Sequence, residues 1–240
     1  MMLIHFVFFI TLSLVFALTH ALYASPLKSL SLDFSRELTE NEKTEQITGT
    51  LHYDANAARV VVEVMKPLRQ IMVVTDNVLE IYYPVERQAF RIMSKGRVPL
   101  PFVESIIQSA QAEYRLTAIG YSLDKHEIQD DMLYTYWIPP DKAKDRIGAV
   151  VLGIHDDRIL STEVKNPKGD TIARSQYQDH SKLGISFIPM TVTSKTYGAK
   201  SEVLQHERIF YSNPQVNAET PNPILYFTMP ESVKVKIVKW

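Results

Sequence analysis

The chain contains no cysteine. That removes thiol catalysis, cysteine zinc sites and disulfides, and with them the acylated cysteine that would make the protein itself a lipoprotein. Glycine is scarce, at 8 in 240 residues, and neither a P-loop nor a G-x-G-x-x-G run occurs, which argues against a phosphate cradle. Charge of one sign is missing too. The 26 Lys and Arg nearly balance 27 Asp and Glu, and no polybasic run points to nucleic acid or an anionic membrane surface. Ser109, Ser122 and Ser161 have no G-x-S-x-G context, and His180 and His206 have no metal partner at ligand spacing. His155-Asp156-Asp157 is the most catalytic-looking cluster. Adjacent strand residues point to opposite faces, so it is read as a turn, and residues 127–131 (EIQDD) are read the same way. No catalytic residue, metal or cofactor is expected.

What is present is apolar and strand-forming. Hydrophobic residues make up 45% of the chain, enough for a sizeable core. Phe6 to Leu18 (FVFFITLSLVFAL) has the length of a signal-peptide core, and Leu22-Tyr23-Ala24 suits cleavage before Ser25. A signal peptide over residues 1–24 and a single exported domain over residues 25–240 are therefore expected. The stretch from Gln46 to Met93 reads as five short strands separated by turn chemistry at Asp54-Ala55-Asn56, Pro67-Leu68, Asp76-Asn77 and Pro84-Val85-Glu86. Such short connections predict an antiparallel meander. Ala58, Val60, Val62 and Val64 share one face, and Arg59 and Glu63 the other. Ile71 and Val73 oppose Met72 and Val74, so both faces there are apolar and each needs a cover or a ligand.

Leu30, Leu32 and Phe34 alternate with polar residues in a first strand, and residues 39–45 read as a solvated loop. Phe102, Val103, Ile106, Ile107, Ala110 and Tyr114 fall on one helical stripe behind Pro101. Strands resume from Ala118, residues 212–223 read as a polar surface loop, and ILYFTMP as a late strand. Tyr82, Tyr83, Tyr134, Tyr136 and Trp137 form an aromatic set that suits either strand packing or stacking on a sugar or base.

Several of these pieces resemble the LolA family of lipoprotein carriers and lipoprotein-sorting proteins. They are Gly49-Thr50-Leu51, Pro67, VVTDN at 73–77, LEIYYP at 79–84, PLPFVESII at 99–107 and YFTMPESVKVKIV at 226–238. The resemblance implies an α+β fold: a curved antiparallel half-barrel of about ten strands with one or two covering helices. It implies an acyl-chain cavity lined by Val60, Val62, Val64, Ile71, Val73, Leu79, Ile81, Phe90, Ile92, Phe102, Ile106 and Ile107, with the helix of residues 102–114 as its lid. The implied activity is non-enzymatic: a periplasmic carrier of lipoproteins or other acylated cargo, with an inner-membrane exporter and an outer-membrane acceptor as partners. A lipid-sensing or assembly module acting with a membrane protein is the alternative. The family's Arg-Pro after the Gly-x-Leu strand is replaced here by Ala55 and Asn56, with Arg59 the nearest arginine.

Overall fold

Turn-forming pairs set the topology. Asn41-Glu42, Asp130-Asp131 and Asp156-Asp157 all adopt positive φ, the left-handed geometry of a two-residue hairpin that asparagine and aspartate tolerate. A computed structural model describes residues 27–75, 77–94, 106–109, 112–183, 186–218 and 222–239. The targeting segment of residues 1–24 and Phe102 lie outside the described residues.

The meander is present as expected: β2 (Lys43–Asp54), β3 (Arg59–Lys66), β4 (Gln70–Thr75), β5 (Val78–Tyr83) and β6 (Gln88–Met93), preceded by β1 (Ser29–Glu40). Eight strands follow: β7 (Ser122–Gln129), β8 (Met132–Ile138), β9 (Val150–His155), β10 (Arg158–Lys165), β11 (Thr171–Leu183), β12 (Ser186–Tyr197), β13 (Val203–Val216) and β14 (Val235–Lys239). All join one sheet in the order β14-β6-β5-β4-β3-β2-β1-β13-β12-β11-β10-β9-β8-β7. Every pairing is antiparallel except the edge pair β14–β6. The two ends of the order, β14 and β7, do not pair, so the sheet stays open. It is strongly curved. One core cluster unites β1–β5 side chains such as Leu32, Leu51 and Val62 with Tyr177, Ile188 and Ile209 from β11–β13.

This corrects the α+β expectation. Among the described residues the protein is all-β, with one helical turn at 106–109 and four short 3-10 segments. The stripe from Phe102 to Tyr114 does not continue as one helix. Residues 112–115 are a 3-10 turn, and Tyr114 and Arg115 take φ of 52° and 57°, which an α-helix cannot accommodate. Three loop and strand boundaries also move. The loop read at 39–45 is a hairpin, since β1 and β2 pair through Glu40 and Lys43. The loop read at 212–223 is β13 as far as Val216. ILYFTMP is not a strand; it contains a 3-10 turn at Pro223–Tyr226.

Candidate functional site

The enclosed face of the sheet is built by simple alternation. Val60, Val62 and Val64 on β3 sit beside Val74, Met72 and Gln70 on β4, and Met72 and Val74 in turn face Ile81 and Leu79 on β5. Ile81 and Leu79 pair with Phe90 and Ile92 on β6. All of these lie on the register that points into the curve. Val62 is fully buried, and Ile81 and Ile92 pack against the same cluster at half burial. The structure thus brings together Val60, Val62, Val64, Leu79, Ile81, Phe90 and Ile92 from the expected lining.

Ile106 and Ile107 complete that cluster, at 0% and 3% exposure. Successive helical residues point about 100° apart, and both are buried in the cluster, so a broad face of the turn is apolar and covered. Ser109 Oγ donates to the Ile106 carbonyl at 3.0 Å, closing the turn on itself.

Ile71 and Val73 do not belong to this lining. They pair with Glu63 and Val61, on the outward register, and form a second cluster with Val61 and Leu225. A period of two places them opposite Met72 and Val74, and the apolar outer face is covered by the C-terminal strap instead of a ligand. The strap is held by three contacts. Leu225 is buried on the β3–β4 valines, Phe227 stacks on Tyr82 with ring centroids 6.0 Å apart, and Arg59 donates to the Phe227 carbonyl at 2.5 Å. Arg59 therefore lies on the outward register, under the strap and away from residues 106–109.

One stretch of the enclosed face on β10–β13 is polar, beside the apolar Val192 and Ile209 of the same strands, a feature sequence reasoning missed. Here β10–β13 present Thr162, Ser175, Ser194 and Thr196 inward beside Val164 and Ala173. Tyr177, fully buried, shares hydrogen bonds with Tyr114 at 2.8 Å and Thr162 at 3.4 Å, and Ser175 and Ser194 meet at 2.8 Å. Burial pushes the Tyr177 phenol well above its ordinary range, so it stays neutral. Arg36 on β1 and Glu207 on β13 form an ion pair at 2.5 Å across the same space, with side chains 18% and 12% exposed. Strand periodicity in TIARSQY and TVTSKTY holds the sequence signal: the register through Ala173 and Ser175, and through Ser194 and Thr196, alternates small and hydroxyl residues.

On the outer face, His52 is buried, with Nδ1 2.9 Å from Ser31 Oγ and Nε2 3.3 Å from Thr50 Oγ1. Burial pushes its pKa down, against the opposing fields of Glu63 and Asp33. Both ring nitrogens are thus occupied, and no carboxylate contacts the ring. The aromatic set disperses. Tyr82 lies under the strap, Tyr83 meets Phe90 edge-on, Tyr136 bonds Glu127, and Trp137 is buried over Thr135. No stacking platform results. His155-Asp156-Asp157 is a turn, and among the described residues no group of three metal-type side chains converges.

No family model matches the chain, and no curated protein matches it in sequence. Solved structures match its fold. A DUF1329 family protein from Desulfovibrio piger aligns at TM-score 0.60 with 9% identity, over 84% of this chain and 91% of that one. A LolA superfamily protein from Nitrosomonas europaea aligns at 0.56 with 14% identity, over 84% and 91%. A domain of an outer membrane lipoprotein-sorting protein, so described, from Vibrio parahaemolyticus aligns at 0.55 with 10% identity, over 82% and 88%. The chain therefore has a LolA-like fold.

Proposed function

We propose that the protein is a non-enzymatic carrier of acylated cargo, whose acyl chains occupy the enclosed face by displacing residues 106–109. The observation that carries this reading is the nature of the plug. A fourteen-stranded curved sheet surrounds an apolar face, and its centre is filled by a single helical turn through Ile106 and Ile107. The described turn of residues 106–109 has few backbone hydrogen bonds to lose when it moves. Exchanging it for a hydrocarbon chain costs little. Burial of each methylene is worth about 0.8 kcal/mol relative to water, in a bilayer or in an apolar cavity alike. Transfer between the two is close to neutral, and a carrier needs no nucleotide site of its own.

The fold likeness to a LolA superfamily protein and a lipoprotein-sorting domain supports a place between two membranes, with lipoproteins as the leading cargo. The apolar segment before Ser25 supports export to the periplasm. An inner-membrane exporter would supply the energy of extraction and an outer-membrane acceptor would take the cargo. Ile81→Glu tests the site. Ile81 is half-buried, so the fold tolerates the change, whereas an unpaired carboxylate against an acyl chain costs several kcal/mol. Binding of a fluorescent fatty-acyl probe should fall at least about tenfold, the effect of roughly 1.4 kcal/mol. Unchanged binding by a folded Ile81→Glu protein would move the site elsewhere.

A further inference from the structure

Acyl chains need only an apolar wall, yet one stretch of the enclosed face is lined with hydroxyls. We propose that this polar bank is a headgroup subsite that takes the uncharged ester or amide carbonyls of an acyl lipid; the inference rests on the carrier reading above.

The space at the bank measures about 340 Å³ and lies between β1, β10–β13 and the segment carrying Gln108 and Tyr114. A space of this size holds a glyceryl ester. Its position suits a headgroup. Tyr177 and Ile209, both members of the apolar cluster, adjoin the bank, and Tyr114 bonds Tyr177 and links it to the plug side of the cavity. A lipid with its chains in place of Ile106 and Ile107 would leave its polar end here.

The donors suit carbonyls. Ser175 and Ser194 bond one another and Ser175 also bonds the Tyr177 hydroxyl, so this pair presents oxygen lone pairs and at most one spare proton to the space. Thr196 and Gln205 line the same space, and their side chains have no hydrogen-bond partner among the described residues. A buried carbonyl without donors loses the hydrogen bonds it had with water, so such a wall selects lipids that carry one.

The charge suits a neutral group. The Arg36 guanidinium is closed by Glu207, so the inward-facing cation of this space is compensated. Lys195 also borders the space, but it pairs in register with Arg174 and is exposed on the outward side of β12. A phosphate at the bank would be desolvated without a partner charge.

The test uses three probes with identical labelled acyl chains: a diacylglycerol, a phosphatidylglycerol and a free fatty acid. Each is titrated into wild type, the Ser175→Ala/Ser194→Ala double variant, and Thr196→Val, which keeps shape and removes one donor. Wild type should bind the diacylglycerol about tenfold more tightly than either anionic probe, and both variants should cut that preference to less than about threefold while holding the fatty acid as before. Thermal melts identify any variant that fails to fold. Thr196→Val, at a half-buried side chain without a partner, keeps the test open if the double variant does. Equal affinity of wild type for all three probes overturns the headgroup subsite and leaves the carrier standing. Preference for phosphatidylglycerol overturns the neutral assignment. Binding of no probe removes the carrier reading, and the subsite falls with it.

Discussion

At Gly49 a side chain has no room. A Cβ there would lie inside van der Waals contact of the Glu63 carbonyl oxygen and 3.0 Å from the Phe34 ring, where β2 and β3 shift register. Phe34 covers the gap from the neighbouring strand, as aromatics do beside strand glycines. The Gly-Thr-Leu motif was legible in sequence; its reason is this close backbone approach. Gly49→Val should lower stability by about 1–3 kcal/mol in urea denaturation, the range of overpacking in a filled core. A second prediction at this scale concerns pH. Burial lowers the pKa of both His52 and His180 from the ordinary 6.5. The unfolded chain then takes up these protons first as pH falls, so the stability they contribute is full above 6.5 and declines below it. The melting temperature should drop between pH 7 and pH 5, and a His52→Asn/His180→Asn variant should show a shallower slope. An equal slope would assign the loss to other groups. His52 was invisible as a buried residue in sequence because nothing in LHYD distinguishes inward from outward before the register is known.

At the scale of elements, strands were read better than their covers. Alternation in RVVVEV and turn residues every few positions define β2–β6 with small boundary errors, because period two and Asp or Asn turns are local signals. Covers are tertiary. The stripe from Phe102 to Tyr114 has helical spacing, but Tyr114 and Arg115 turn left-handed to reach Tyr177, and only the described turn at 106–109 remains helical. ILYF reads as a strand from composition, yet Asn222 caps Ile224 and bends the chain into a 3-10 turn that lays Leu225 on Val61 and Val73. The plug can be separated from the core by truncation. Ile209→Ala, fully buried on β13, should cost about 2–5 kcal/mol. Ile106→Ala is equally buried, but on the carrier reading it should cost clearly less, because a displaceable turn opens before the sheet unfolds, and it should change acyl-probe affinity several-fold. Urea melts with paired titrations check this. Equal stability costs with unaltered affinity would make residues 106–109 part of the core.

For the whole molecule, half of the candidate site was legible. The apolar half follows from single strands, since Val60, Val62 and Val64 face one way whatever lies beyond them. The polar part depends on which of two faces of β10–β13 turns inward, and that is decided by the curvature of the open sheet, which packs β1–β5 against β11–β13. Ile71 and Val73 were placed in the cavity for the same reason: both faces of β4 are apolar, and only the strap distinguishes them. On the proposed carrier reading, the curved sheet, the turn at 106–109 and the hydroxyl bank form a container for acyl chains. The most direct test is native mass spectrometry of the protein purified without detergent and then incubated with vesicles containing a diacyl lipid. The account predicts discrete adducts at the mass of one acyl lipid, either carried from the cell or acquired from the vesicles. Bare protein in both samples, still folded, would contradict it.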